Sequence, residues 1–169
     1  MKAPVIIITG TPATGKSSLA KELSLLTRFK HIDVNRIVKE GKLKTGYDSR
    51  RKVRIVPIPL LNRFLLKNYI KKPHKGLIIE SHLAHYLPSK YASVCLVTVT
   101  DLKTLYKRLK NRGYSQAKIR ENLDAEIFRT CENEARELNH RVIVVNTTKK
   151  EPRKLAKSLL PRIRRELRI

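Results

Sequence analysis

Acidic residues are scarce in this chain: 14 Asp and Glu face 38 Lys and Arg among 169 residues, for a formal net charge of +24. No run approaches the roughly 18 consecutive apolar residues of a membrane span. The stretch Pro4 to Thr9 is too short for a signal-peptide core. A cytoplasmic protein without membrane contact is therefore expected. Cys95 and Cys131 are the only cysteines. Two cannot build a disulfide framework and neither stands in a metal-site spacing, so both are expected as reduced core residues. There is no internal repeat and no low-complexity tract. With 41% hydrophobic residues, the length suits one domain, 1–169, around one core. The positive excess attracts polyanions, which makes nucleic acid or a nucleoprotein a candidate partner. A solvated surface with its cations on outer helical faces is the alternative, and composition leaves both open.

Along the chain, Val5-Ile6-Ile7-Ile8-Thr9 is a continuous β-branched run, the pattern of a strand buried on both faces at the centre of a parallel sheet. A glycine-containing turn follows, then a helix with Leu19, Leu23 and Leu26 on one side. Further strands are predicted at 30–34, 76–80, 93–99 and 141–145, separated by helices, which gives an α/β fold with five strands. Asp101 caps a helix that Gly113 ends, and Ile119, Leu123, Ile127, Cys131, Ala135 and Leu138 predict one helix over 115–138 with that stripe inward. Between Lys42 and Pro59 polar residues and prolines predict a mobile segment, and 151–169 reads as a basic helix interrupted at Pro161.

Gly10-Thr11-Pro12-Ala13-Thr14-Gly15-Lys16-Ser17 fits the phosphate-loop pattern G-x-x-x-x-G-K-[ST] without mismatch, directly between strand and helix. Glycines let the backbone turn tightly and aim successive N–H groups, Ala13 and Gly15 included, at phosphate oxygens beside a helix N-terminus. Lys16 then spans the β- and γ-phosphates, Ser17 offers a hydroxyl to Mg²⁺, and Ser18 reaches the α-phosphate. ATP and Mg²⁺ are the cofactors so implied.

Phosphoryl transfer also needs an acid near the metal, positive charge and something to orient the acceptor. Glu80 ends an apolar strand and is placed to hold Mg²⁺ through a water. His82 either orients a water or acceptor hydroxyl or is simply a solvated loop residue. Arg108 and Arg112, four apart on one helix, are paired clamps over a triphosphate at a lid hinge, or a solvated basic face. Asp33 either orients the acceptor or a metal-bound water, or caps the next helix. Asn146 to Thr148, after the last strand, are candidates to contact adenine.

These residues give the chain a resemblance to the small nuclear and archaeal adenylate kinase-like NTPases, the isoenzyme-six type linked to small-ribosomal-subunit maturation. The resemblance spans nearly the whole chain. It is carried by the phosphate loop, Gly46-Tyr47-Asp48, Glu80-Ser81-His82, and Arg112-Gly113-Tyr114-Ser115 leading to Lys118, Glu121-Asn122 and Ala125-Glu126-Ile127-Phe128. It implies a three-layer P-loop NTPase of nucleoside monophosphate kinase type, with five parallel strands, a monophosphate segment at 33–56 and a short lid at 111–121. The implied activities are phosphoryl transfer from ATP to AMP and ATP hydrolysis, with Glu80 and His82 as the acid-x-His pair and Arg112 on ATP. The implied partners are a small-subunit ribosomal protein and rRNA, in small-subunit biogenesis and rRNA processing, for a monomer or weak dimer. An ATP-gated assembly factor with little kinase activity and a kinase for another small metabolite are the competing functions. Three departures stand out. Ala13 replaces the family's Gly, a change the loop accepts if φ there is negative. Arg50-Arg51-Lys52 and Val56-Pro57-Ile58-Pro59 replace an acidic stretch. Lys39, a substrate-binding candidate, replaces an Arg.

Overall fold

Described by a computed structural model over residues 3–43, 45–49 and 53–167, the chain begins with β1 (Val5–Thr9), α1 (Lys16–Thr27), β2 (Lys30–Asp33) and α2 (Val34–Lys39). It continues through β3 (Gly46–Asp48), β4 (Val53–Ile55), α3 (Ile58–Leu65), β5 (Leu77–Glu80) and β6 (Val94–Val99). Helices α4 (Leu102–Asn111), α5 (Gln116–Ile127) and α6 (Thr130–Glu137), strand β7 (Val142–Asn146) and helix α7 (Pro152–Leu167) complete it. Five strands form one parallel sheet in the order β2, β5, β1, β6, β7. The β-branched run of β1 is fully buried at its centre, as its apolar continuity requires.

Alternate residues of β1 feed two cores. Ile6 and Ile8 face α1 and α7 through Leu19, Leu23, Leu155 and Ile163, while Ile7 faces α2, α3 and α6 through Ile37, Leu61, Leu65 and Ala135. The result is the expected three-layer α/β arrangement with five parallel strands. A third, small cluster joins Ala13 of the phosphate loop to Leu105 and Leu109 of α4 and Ile119 of α5. That cluster ties the loop to α4 and α5 in one packed unit.

Three expectations are corrected. Residues 42–59 are not structureless: β3 and β4 form an antiparallel hairpin, and Pro57 and Pro59 stand at the start of α3, where a missing N–H costs no helical bond. Arg50, Arg51 and Lys52 lie outside the described residues. The single helix over 115–138 is two, because Arg129 takes a left-handed conformation (φ 50°) and re-aims the chain. The turn lays Ala135 on the sheet and leaves Ile127 and Leu138 exposed, at 53% and 41%. Pro161 does not interrupt α7. It lies on the exposed side, where water can satisfy the carbonyl it leaves free, while Leu155, Ala156 and Ile163 hold the helix to the core.

Because Leu105 is fully buried in the cluster that couples the phosphate loop to α4 and α5, Leu105→Ala should lower unfolding free energy by about 2–5 kcal/mol. Urea denaturation followed by circular dichroism measures it.

Candidate active site

The C-terminal ends of β1, β5 and β6 converge on one edge of the sheet, where open α/β folds bind ligands. The phosphate loop fills this edge. Gly10 has φ 138°, and a Cβ there would stand 2.4 Å from the Thr98 carbonyl oxygen, so only glycine lets the loop leave β1 this closely against β6. Gly15 (φ 88°) caps α1. Ala13 also has positive φ, 69°, contrary to the negative value under which alanine would be unstrained. A left-handed alanine costs about 1–2 kcal/mol. Burial of its methyl in the Leu105 cluster returns about 0.8 kcal/mol, so packing offsets much of the strain.

A chain of hydroxyls sets the loop's shape. Thr98 Oγ1 lies 2.7 Å from Thr14 Oγ1, which donates to the Thr11 carbonyl at 2.7 Å, and Thr147 Oγ1 donates to the Thr14 carbonyl at 2.7 Å. Thr98 and Thr147 come from β6 and the turn after β7, so both strands brace the loop. Sequence reasoning missed these threonines. Only position 147, within the candidate adenine stretch, carried a signal.

Lys16 is buried, and its Nζ donates to the carbonyls of Gly10 and Thr11 at 2.8 and 2.9 Å. Burial pushes its pKa down to about 8, against the opposing pull of Glu80. Ser17 and Ser18 are exposed on the first turn of α1. Ser17 Oγ donates to Glu80 Oε1 at 2.9 Å. The other oxygen, Oε2, is buried 3.4 Å from His31 Nε2, close enough for an ion pair with a protonated imidazole but not aligned as a hydrogen bond. Burial raises the pKa of Glu80, yet His31, Ser17 and Lys16 outweigh it and the carboxyl stays below the ordinary range. A carboxylate with one unbonded oxygen beside a hydroxyl is a hard-oxygen pair that fits Mg²⁺.

Two cavities meet over the loop. The larger, about 650 Å³, is lined by Lys16, Ser17, Glu80, His82 and Arg112, and extends to Lys39 and the apolar side chains of Val34, Val38, Val56 and Leu83. His82 reaches solvent at its mouth. Crowding by the cleft walls, then the Lys16 charge, pushes its imidazole down to about 4, so it is neutral at pH 7. The smaller cavity, about 420 Å³, lies on the far side of the loop and is lined by Arg108, Asn111, Thr147, Lys150, Pro152 and Leu155. Ala13, Gly15, Ser18 and Arg112 border both.

Arg108 and Arg112 thus part company. The Arg108 guanidinium reaches the carbonyl oxygens of Ala13 and Thr147, each at 3.3 Å, and braces the loop. Arg112 is exposed at the junction of the cavities. Asp33 is the N-cap of α2: its carboxylate accepts from the Arg36 N–H at 3.1 Å, and it does not line the cleft. Tyr114 and Lys118 also line the larger cavity, with Lys118 Nζ 4.2 Å over the Tyr114 ring. His31 carried no sequence signal, since its pairing with Glu80 exists only through the β2–β5 register.

The depressed pKa of Lys16 makes stability depend on pH. Between about 8 and 10.5 the unfolded chain holds a proton that the folded one has released, so this group's contribution to stability rises with pH, by at most about 3 kcal/mol. Urea midpoints from pH 7 to 10 should therefore shift in favour of wild type relative to Lys16→Met. Parallel curves would refute it.

Comparison with known proteins agrees with this geometry. A family model described as AAA domain matches residues 6–129. The Dictyostelium discoideum protein named adenylate kinase isoenzyme 6 homolog is 36% identical over 142 residues, 84% of this chain and 79% of that one. Its Schizosaccharomyces pombe namesake is 37% identical over the same shares. Among solved structures, shikimate kinase from Acinetobacter baumannii in complex with shikimate superimposes with a TM-score of 0.61 at 16% identity, over 95% of this chain and 93% of that one, a likeness of fold alone. The chain belongs to the adenylate kinase isoenzyme 6 family of P-loop phosphotransferases.

Proposed function

We propose that this chain moves the γ-phosphoryl group of ATP to AMP, and to water when no acceptor is held. The observation that carries the reading is the pair of cavities meeting over one phosphate loop. A hydrolase needs one nucleotide pocket; a phosphotransferase needs a donor chamber and an acceptor chamber that share the loop. The side with Thr147, Pro152 and Leu155 suits the ATP base. The side with Lys39, Val34, Val38, Val56 and Leu83 suits the acceptor, with apolar walls for its base and a cation for its phosphate.

In this scheme the amides of residues 13–17 and the Lys16 ammonium hold the β- and γ-phosphates, and Arg112 covers the transferred group from the lid. Ser17, and Glu80 through a water, would hold Mg²⁺, which when bound would neutralise charge on the phosphate oxygens. Neutral His82 turns a ring lone pair toward the nucleophile. At a pKa of about 4 it takes up no second ring proton at pH 7 and orients a water or acceptor. The hydrolytic rate should accordingly show no inflection near 6.5.

Coupled measurement of ADP from ATP and AMP tests the assignment. Lys16→Ala should lose nearly all turnover, and His82→Ala about 100-fold of it. Equal ADP formation by wild type and Lys16→Ala would reject the site. A labelled-ATP acceptor screen separates AMP from other metabolites, and strong transfer to a non-nucleotide would replace the acceptor named here.

The net charge of +24 favours a second, compatible role: nucleotide-gated work on a ribosomal component in small-subunit biogenesis. Helix α7 contributes Arg153, Lys154, Lys157, Arg162, Arg164 and Arg165 to the exposed surface. Affinity for single-stranded RNA should fall about 100-fold or more from 50 to 200 mM salt, the loss expected of roughly five phosphate contacts. Salt-insensitive or absent binding would leave a protein partner alone.

A further inference from the structure

Five residues beyond Glu80 stands a second histidine that the scheme above does not use. His85 lies in a short 3₁₀ turn (Ala84–Tyr86) after β5 and is 1% exposed. Its Nδ1 is 2.7 Å from Thr9 Oγ1, and its Nε2 is 2.9 Å from Glu134 Oε2 on α6. Its carbonyl takes a 2.7 Å hydrogen bond from His140 Nε2. Thr9 is the last residue of β1, the one before Gly10. Ring and backbone of this residue are thus bound to the strand that launches the phosphate loop, to α6, and to the turn before β7.

The donors are consistent with one tautomer. Burial, against the raising pull of Glu134, holds the imidazole below its ordinary pKa and so neutral. The Glu134 carboxylate can only accept, so it draws the ring proton to Nε2 and leaves the Nδ1 lone pair facing the Thr9 hydroxyl. Around the ring, the loop from Glu80 to His85 is short and closely pinned. Ser81 N–H donates to the Ile8 carbonyl at 3.2 Å, Leu83 N–H to Ser81 Oγ at 3.1 Å, and Ala84 N–H to the Ser81 carbonyl at 3.1 Å. Thr9 Oγ1 also lies 3.4 Å from the His82 carbonyl oxygen. His82 itself is exposed at the cleft mouth with no side-chain hydrogen bond among the described residues, so nothing on its own ring fixes its direction.

We propose that His85, locked between Thr9 and Glu134, is a positioning residue that sets the place of His82 relative to the phosphate loop. The inference rests on the function proposed above for His82, and it adds α6 to the elements on which turnover depends. Glu134 is the outer end of this strut, and its side chain is one-third exposed (34%), so the strut can be cut there without opening the core.

The test uses the full chain, with His85→Asn and Glu134→Ala each made in wild-type and His82→Ala backgrounds. In wild type both should lower kcat about ten-fold while the KM for ATP stays within about two-fold, and in the His82→Ala background both should cost less than about two-fold. Wild-type kcat in a folded variant, or an equal loss in both backgrounds, overturns the proposal. Should His85→Asn fail to fold, Glu134→Ala reports alone. Amide hydrogen exchange gives a second readout that needs no turnover: protection of the Ala84 and Tyr86 amides should drop in Glu134→Ala. Unchanged protection removes the strut and leaves the proposed function standing. Lost protection in a protein that binds ATP but makes no ADP keeps the strut and removes the function.

Discussion

A buried ammonium held by the carbonyls of its own loop is the interaction on which the site depends. Lys16 has its charge taken out of water, and two carbonyl contacts from Gly10 and Thr11 compensate only in part, which is why its proton is loosened. The loop cannot relax to relieve it. Gly10 is pressed against β6, Thr14 is fixed through Thr98 and Thr147, and Ala13 is anchored under α4. A polyphosphate is the natural partner for such a charge. The cradle is preorganised in the sense that its cost is met by folding, before any nucleotide arrives.

Much of this was legible in the residues. The run at 5–9, the complete loop motif and the glycine spacing specify a central strand, a phosphate cradle and a helix, because each local preference points to the same structure. The α/β fold with five strands followed from the alternation of elements, and the resemblance added its three layers. What escaped was settled by tertiary contacts. Arg129 adopts a left-handed conformation that its residue type does not advertise, so one apolar stripe became two helices. Pro161 stayed inside α7 because its face meets water, and proline's effect depends on which carbonyl it strands. Asp33 offered two readings in sequence, and the hydrogen bond to Arg36 N–H makes it a cap. Thr98, His31 and His85 act through strand register and loop packing across gaps of 49 to 89 residues in the chain. No spacing rule reaches that far.

The charge balance constrains where selectivity can reside. With a net +24, every phosphate-bearing ligand is drawn to the chain, and the attraction does not distinguish AMP from other anions. Lys39 adds to this, since an ammonium neutralises a phosphate as a point charge and imposes little geometry on it. If the larger cavity holds the acceptor as proposed, discrimination among acceptors falls to its uncharged surfaces, Val34, Val38, Val56 and Leu83, and to the direction in which His82 presents its ring. Apolar walls alone separate ligands by about 1–3 kcal/mol per methylene-sized difference. A site of this composition gains its precision from the fixed placement of a few polar groups. Under the proposed roles of His82 and His85, the buried hydrogen bonds behind His82 bear on turnover alongside the residues that touch the acceptor.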